Sequence, residues 1–326
     1  MNVVVTGSIA TDHLMTFPGK FVDALIPDKL DSLSVSFLVD GLEVRRGGVG
    51  ANIAFGMGVL GLKPTLVGAV GSDFADYNAW LTRHGVDTDS VHISDDLHTA
   101  RFVCTTDQNA SQIASFYPGA MGLARNIELA PIAARLGGID LVVIGPNDPE
   151  AMRRHTQDCR DQEIAFVADP SQQLSSMSGD EIIELIDGAT YLFTNEYEAA
   201  LTESKTGWSA DRILDSVGTR VTTLGSKGAR VESKGQQAIE VPVPAEERIA
   251  DPTGVGDAFR AGYLSATAWG LEPRLCAQVG SLLATYVVET VGTQEYYFTT
   301  DQFIARFEQA YGADGAESLG AHLKSA

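Results

Sequence analysis

The sequence predicts an α/β protein with a mostly parallel, helix-flanked sheet and a small additional β sheet. Two observations carry this prediction. Short apolar runs alternate with helical stretches through the middle and C-terminal parts, and two other stretches show β-type alternation with no helix between their strands. No long linker, repeat or low-complexity tract divides the 326 residues, which indicates a single domain over 1–326.

The parallel sheet is predicted from apolar runs that are spaced by helices. The runs lie at 140–145, 164–170, 191–196 and 220–225, and helices are expected at 148–161, at 178–187 and from the end of the third run to about 204. Runs without polar alternation are typical of parallel strands that are buried on both faces.

The additional sheet is predicted from residues 33–45 and 99–117, which we expect to form antiparallel ribbons. The second ribbon would turn at the polar residues Asp107–Asn109. Together the ribbons would form a lid, made of about 14–45 and 98–118, over the carboxyl edge of the large sheet, where open α/β folds bind ligands. Decorative edge hairpins are the alternative.

The charge and the cysteines restrict the class of protein. The chain has 23 Lys and Arg against 43 Asp and Glu, a net charge of −20, which argues against binding to nucleic acid or to an anionic membrane. The N-terminus lacks a signal-peptide pattern, and no apolar run approaches the ~18 residues of a membrane span. Three cysteines without metal-type spacing indicate reduced thiols, so we expect a cytoplasmic protein.

The sharpest motif is DPTGVGDAF at 251–259, which precedes a helical pattern. Gly254 and Gly256 permit a tight turn, so the N–H groups of Gly254, Val255 and Gly256 are predicted to bind an anion at a helix N-terminus. Asp257 is a poor static partner for a phosphate but a suitable base for a hydroxyl brought to that phosphate. Helix capping is the alternative, and we expect the amides to keep Asp257 ionised at neutral pH.

Two further segments are predicted to bind the acceptor substrate. In RRGGVGANIAFGMGVLG, at 45–61, Gly48 permits close approach of a ligand and Asn52 can bond hydroxyls, although Asn52 could instead face solvent. In TGSIATDH, at 6–13, a turn of small residues brings Asp12 to the edge of the sheet. This turn is not GxGxxG, so a dinucleotide site is not indicated.

The nucleotide side is predicted at the ends of two later strands. Asn195 and Glu198 in TNEYEAA lie on one helix face, where Glu198 could hold hydrated Mg²⁺ through water, but capping explains the pair equally well. The segment TTLGSKGA, at 222–229, could be a loop over nucleotide phosphates or a hairpin turn. Its candidate ATP-binding residues are Thr223, Gly225, Ser226 and Gly228, together with Asn195 and Gly256.

Aromatic residues on the lid bear on the acceptor. Phe102 and Phe116 fall on either side of the polar turn, and Ser36 comes from the other ribbon. Two rings that reach one pocket could sandwich a purine, whereas a free pentose offers no ring face. The alternative is that these rings form the lid's own core.

In this order, the segments GGVGAN, NEYE and DPTGVGDAF resemble the PfkB, or ribokinase-like, family of carbohydrate and nucleoside kinases, from residue 3 to about 310. Within the family, TGSIATDHLM, SLSVSFLV, ASFYPGAM, DPSQQL and VGTQE are most similar to actinobacterial adenosine kinases. The resemblance implies a three-layer, Rossmann-like domain with a β lid, Mg²⁺-ATP as donor and homodimerisation through the lid. Pro252 and Val255 depart from the usual Thr and Ala, without loss of a useful N–H group.

The resemblance also implies residue roles. Asp257 would be the base and the 254–257 amides the anion hole. The substrate-binding residues would be Ser8, Asp12, Ser36, Gly48, Asn52, Phe102, Phe116, Gln172 and Gln173. The expected reaction is transfer of the γ-phosphoryl group of ATP to the 5′-hydroxyl of adenosine, giving AMP in purine salvage. A ribokinase or other sugar kinase and a nucleoside-binding sensor remain alternatives, and a need for K⁺ near Asp251 is left open.

Overall fold

Two β sheets organise the chain, whose residues 1–24 and 34–323 are described by a computed structural model. The strands are β1 (Val3–Thr6), β2 (Ala10–Thr16), β3 (Gly41–Gly47), β4 (Thr65–Val67), β5 (Ala69–Gly71), β6 (His92–Ser94), β7 (Ala100–Thr106), β8 (Gln112–Tyr117), β9 (Leu141–Ile144), β10 (Ala165–Ala168), β11 (Tyr191–Asn195), β12 (Thr219–Thr223), β13 (Ala229–Ser233) and β14 (Ile239–Val241).

The helices lie between these strands and after the last of them. They are α1 (Phe21–Ala24), α2 (Val49–Val59), α3 (Ala75–Arg83), α4 (Leu129–Leu136), α5 (Pro149–Asp161), α6 (Gly179–Ile186), α7 (Glu196–Thr206), α8 (Ala210–Ser216), α9 (Val255–Ala268), α10 (Pro273–Val288), α11 (Thr300–Tyr311) and α12 (Ala313–Leu323). Within the described ranges, no helix is both long and apolar enough to cross a bilayer.

The large sheet has eight strands in the order β14-β13-β12-β11-β10-β9-β1-β4. The six strands from β12 to β4 pair in parallel, and β13 and β14 extend one edge in antiparallel fashion. Along β1, Val3 and Val5 pack into one core and Val4 into a second core on the other face. Helices therefore cover both faces, and the predicted three-layer α/β fold is confirmed.

The second sheet has four strands in the order β3-β2-β7-β8 and is the predicted lid. Strands β7 and β8 form the predicted hairpin, in which the Asp107 carboxylate accepts the N–H groups of Asn109, Ser111 and Phe21. A further pair, β5 with β6, lies outside both sheets.

The predicted ribbon at 33–45 is wrong in its extent. Residues 34–39 form no strand, residue 33 lies outside the described residues, and the strand of this region is β3. Its antiparallel partner is β2, which the sequence analysis took for a turn, and β2 pairs in parallel with β7 on its other side. Residues 25–33 of the predicted lid range 14–45 also lie outside the described residues.

Candidate active site

A cavity of about 380 Å³ lies between the carboxyl edge of the large sheet and the lid. The predicted site residues that line it are Ser8, Asp12, Gly48, Asn52, Phe102, Phe116, Gln172, Gln173, Gly254 and Asp257. Residues that the sequence analysis did not single out line it too, among them Met121, Asn147, Thr253 and Thr293. The cavity thus brings together residues that are more than 200 positions apart in the chain.

The floor of the cavity is the N-terminus of α9. Gly254 lies immediately before this helix and has φ 77°. A Cβ at this position would lie 2.8 Å from Cγ2 of Thr293, so the position requires glycine. The first regular helical bond runs from the N–H of Ala258 to the carbonyl of Gly254, 2.9 Å away. The preceding amides, of Gly256 and Asp257, have no carbonyl four residues back within the helix and can bind an anion.

Asp257 faces the cavity from the first turn of α9. Its Oδ2 accepts a hydrogen bond of 2.8 Å from Nδ2 of Asn52, and Arg260 lies close enough to favour the charged form. Burial nevertheless dominates and raises the pKa of Asp257 to about 7. Burial therefore outweighs the influence of the amides, which the sequence analysis expected to keep Asp257 ionised at neutral pH.

Gly48 and Ser8 join the β1–β2 turn to the start of α2. Gly48 has φ 94°, and a Cβ would lie 2.6 Å from both Ala10 N and Ser8 O, so a larger residue cannot fit. The Ser8 hydroxyl accepts the N–H of Val49 at 3.0 Å, which satisfies an amide at the start of the helix. This close packing holds Asn52, one turn further on, at the cavity.

Asp12 lies within lid strand β2 rather than at the edge of the large sheet, which corrects its predicted place. Its register partners are Arg45 on β3 and Phe102 on β7. Burial raises the pKa of Asp12 to about 6, with Arg45 opposing the shift and Asp251 adding to it. A Cβ at Gly47 would lie 3.0 Å from Asp12 Oδ2, so the glycine leaves room for this carboxylate.

One row of side chains crosses the whole lid on the face toward the cavity. Directly opposite residues in a sheet share a face. The register therefore aligns Arg45, Asp12, Phe102 and Phe116. Phe116 remains 51% exposed, so its ring is available to a ligand. Ser36, by contrast, lies outside the residues that line the cavity, and its role stays a prediction.

Gln172 and Gln173 lie in a short 3₁₀ turn after β10. Nε2 of Gln173 donates to the carbonyl of Asn147 at 2.7 Å, which ties this turn to the loop after β9. The side chain of Gln172 is exposed at the cavity. Both glutamines therefore line the cavity, and their role in binding substrate stays a prediction.

The predicted nucleotide residues lie further along the same sheet edge. Asn195 and Thr223 end β11 and β12 and are register partners. Asn195 and Glu198 form the capping box that was the alternative for this pair, with Asn195 Oδ1 and Glu198 Oε2 each accepting the other residue's N–H at 2.8 Å. Gly225–Lys227 form a 3₁₀ turn that joins β12 to antiparallel β13, so this segment is a hairpin turn.

A buried ionic cluster below the cavity was missed by the sequence analysis. Arg260 and Asp169 are 5% and 0% exposed, and Arg260 Nε lies 2.6 Å from Asp169 Oδ2. Nη2 of Arg260 lies 3.8 Å from Glu198 Oε2. Asp169 follows β10 and Glu198 follows β11, so the only available sequence signal was acidic residues at strand ends.

Comparison with known proteins identifies the fold and the chemistry. The family model of the pfkB family carbohydrate kinases matches residues 12–300. The chain belongs to the PfkB family. A nucleoside kinase of Methanocaldococcus jannaschii is 29% identical over 284 residues, covering 86% of this chain and 92% of that protein. A ribokinase of Bacillus subtilis is 26% identical over 304 residues, covering 90% and 94%.

Solved structures of PfkB kinases match the architecture. The nucleoside kinase of Burkholderia thailandensis, solved in complex with inosine, superposes with a TM-score of 0.82 at 32% identity, covering 95% of this chain and 98% of that one. The chain is thus a PfkB kinase of a nucleoside or a sugar.

Proposed function

We propose that this PfkB kinase transfers the γ-phosphoryl group of Mg²⁺-ATP to the 5′-hydroxyl of adenosine and so forms AMP. The observation that carries the proposal is that a carboxylate base, hydroxyl-binding groups and two lid aromatics line one cavity. A ribose needs the first two, and only a ligand with a planar base makes use of the third. The similarity to nucleoside kinases also favours a nucleoside over a free sugar.

In this proposal the ribose is held by Asp12 and Asn52. The Asp12 carboxylate accepts hydrogen bonds from ribose hydroxyls, and Asn52 Nδ2 has a second hydrogen beyond the one given to Asp257. Gly48 and Ser8 bring the backbone close to the sugar. The base stacks on Phe102 and Phe116, with Gln172 and Gln173 near its polar edge.

Asp257 accepts the proton of the 5′-hydroxyl as the phosphoryl group is transferred. A pKa of about 7 suits this role, because a general base works best when its pKa lies near the working pH. The amides of residues 254–257 stabilise the negative charge that builds up on the transferred group. Asp257 and these amides belong to the same helical turn, so acceptor and phosphate meet at one place.

ATP is proposed to bind along Asn195, Thr223 and the 225–228 turn. Mg²⁺, when bound, neutralises phosphate charge. Within the described residues no group of three or more acidic, His or Cys side chains could ligate a metal directly. Glu198 fits the ion through water, because its Oε1 makes only a long hydrogen bond of 3.4 Å with Ser171 and can accept another from a metal-bound water.

The sequence analysis left open whether K⁺ is needed near Asp251. The two carboxylate oxygens of Asp251 accept the N–H groups of Thr253 and Gly292, and Arg45 lies 3.7 Å away. These contacts already hold the loop before α9 in place.

Dimerisation through the lid is also proposed. Exposed apolar side chains of β3 lie on the lid face turned away from the cavity: Leu42 is 61% exposed and Val44 57%. Exposed apolar side chains that lie together on one face can form a contact between proteins. Sedimentation of the wild-type chain and of Val44→Asp measures it, with a dimer expected for the first and a monomer for the second.

A substrate panel tests the proposed function. Adenosine, inosine, guanosine, ribose and fructose 6-phosphate are each offered with Mg²⁺-ATP in a coupled assay, with Asp257→Asn as the blank. We expect the highest kcat/KM for adenosine and a value lower by orders of magnitude for ribose. Inosine is the most informative alternative substrate, because the nucleoside kinase of Burkholderia thailandensis was solved in complex with it. Equal activity on ribose and adenosine would instead support a sugar kinase.

A further inference from the structure

A continuous chain of hydrogen bonds runs from the backbone of β3 to Asp257, and all but its last, part-buried bond are buried. The hydroxyl of Tyr77 donates to the carbonyl of Gly47 at 2.9 Å, and Nε2 of Gln294 lies 2.6 Å from the same hydroxyl. Gln294 Nε2 also donates to Oδ1 of Asn52 at 2.8 Å. Nδ2 of Asn52 then donates to Asp257 Oδ2 at 2.8 Å. Gln294 is 1% and Tyr77 is 4% exposed, so water does not compete for the bonds that these two residues make.

The direction of every bond in this chain follows from its first member. A carbonyl can only accept, so the single hydrogen of the Tyr77 hydroxyl goes to Gly47. The Tyr77 oxygen must then accept, which requires the NH₂ end of the Gln294 amide to face it. The second hydrogen of that NH₂ group goes to Asn52, whose oxygen must therefore face Gln294.

Thr293 cannot fix the orientation of Asn52 by itself. Its hydroxyl lies 2.9 Å from Asn52 Oδ1 and 3.0 Å from the carbonyl of Arg46, but it has one hydrogen for the two acceptors. A hydroxyl can also accept, so Thr293 would tolerate either end of the Asn52 amide. On the side of Asn52 away from Asp257, the Gln294 amide distinguishes the two ends, and the Tyr77 hydroxyl orients Gln294.

We propose that Tyr77 and Gln294 are positioning residues, which hold the NH₂ end of the Asn52 amide toward Asp257. This inference rests on the proposed function, in which Asp257 is the base. Reversal of the amide would place an oxygen against the carboxylate, which favours its protonated form and leaves no base. This series of hydrogen bonds therefore keeps Asp257 able to accept a proton.

The other charged groups around Asp257 do not replace this hydrogen bond. Arg260, on the same helix, favours ionisation of Asp257 but is paired with Asp169. Asp169 and Glu198, from the loop after β10 and from α7, both disfavour ionisation, as does burial. The Asn52 amide is the largest influence that holds the pKa of Asp257 down, so its orientation should be visible in the pH dependence.

The test is the pH profile of kcat for Tyr77→Phe and Gln294→Leu, at saturating ATP and nucleoside. Tyr77→Phe removes only the hydroxyl. Gln294→Leu replaces the amide with an apolar side chain of similar size, and it is the second variant in case Tyr77→Phe folds poorly. We expect the acid limb to move upward by about one pH unit, which lowers kcat about tenfold below the limb. At high pH kcat should return toward the wild-type value, and KM for ATP should stay unchanged. The matched control is Tyr263→Phe, a buried tyrosine on α9 whose hydroxyl lies outside the chain of bonds.

Two outcomes separate this inference from the proposed function. If Asp257→Asn is inactive but both variants keep the wild-type acid limb, or only lose thermal stability, the positioning inference is overturned. If Asp257→Asn retains kcat, the assignment of the base fails instead. A ¹³C carboxyl NMR titration of Asp257 needs no substrate. A higher pKa of Asp257 in Tyr77→Phe, but not in Tyr263→Phe, supports the inference even if Asp257 is not the base. An unchanged pKa of Asp257 in Tyr77→Phe overturns it.

Discussion

Phe102 and Phe116 lie directly opposite each other on β7 and β8, and both line the cavity. Their shared register places the two rings on the same face of the lid, next to Asp12 in the same row. A ligand that is held by its sugar at Asp12 would therefore present the next part of its structure to these rings. In the proposed reaction that part is the adenine base.

The first prediction concerns base stacking. Phe116→Ala should weaken adenosine binding by about 1–3 kcal/mol, because each base–ring stack contributes that much, while KM for ATP changes less. Calorimetric titration with adenosine measures the effect. Ile113→Ala is the matched control, since Ile113 is on the same strand and similarly exposed but on the opposite face. Equal losses in the two variants would show that Phe116 acts only through the stability of the lid.

The second prediction concerns the ribose hydroxyls. Removing one hydroxyl leaves a half-buried polar partner unpaired at a cost of about 1–3 kcal/mol, so 2′-deoxyadenosine should have a kcat/KM about tenfold or more below that of adenosine. Steady-state kinetics with both nucleosides measure the ratio. In Asp12→Asn the ratio should shrink, because the acceptor has been altered. Equal specificity constants in the wild type would mean that Asp12 and Asn52 bind something else.

The sequence predicted the large sheet well because its signal is local. Strands β9, β10 and β11 are short, largely apolar runs, and the helices α5, α6 and α7 that follow them each begin with a side-chain cap. The glycines before α9 and α2 were also informative, because both have a positive φ and a Cβ at either position would lie 2.8 Å or less from a neighbouring residue. A glycine motif of this kind therefore predicts both the tight turn and the position of the side chain in the helical turn that follows it.

The lid and the electrostatics were harder to predict because they depend on distant pairings. Strand β2 is flanked by β3 and by β7, some 90 residues away, so its strand character is not visible in its own sequence. The pKa of Asp257 depends on burial beneath a lid from another part of the chain. Tyr77 and Gln294 are bonded across 217 positions, a separation at which no spacing rule applies.

The third prediction concerns the rate. Asp257→Asn keeps the size of the side chain but removes the base, and general-base catalysis contributes about 10²–10⁴-fold. We therefore expect kcat to fall by that factor while the calorimetric Kd for adenosine changes little, since Asp12 and the lid rings remain. Measuring both constants in one variant separates an enzyme from a nucleoside-binding sensor. A kcat within about threefold of the wild type would make Asp257 a helix-capping carboxylate and remove the proposed mechanism.

The last prediction concerns stability and follows from the raised pKa of Asp257. The folded value is about 7 and the ordinary value 3.8, so between these pH values the native state binds more protons at this site than the unfolded state does. The free energy of unfolding must then decrease as pH rises toward 7. Asn carries no charge at any pH, so Asp257→Asn should be more stable than the wild type at about pH 8, and the gain should shrink toward about pH 5. Urea denaturation of both proteins at the two pH values measures this difference.

Asp12 also has a raised pKa, but it is present in both proteins and cancels in the comparison. The control is Glu317→Gln. Glu317 is exposed, so this substitution removes the same charge from the surface and should give no such pH-dependent gain. A gain that is equal at both pH values would mean that Asp257 is already ionised in the folded protein at low pH, with its charge balanced by Asn52 and Arg260.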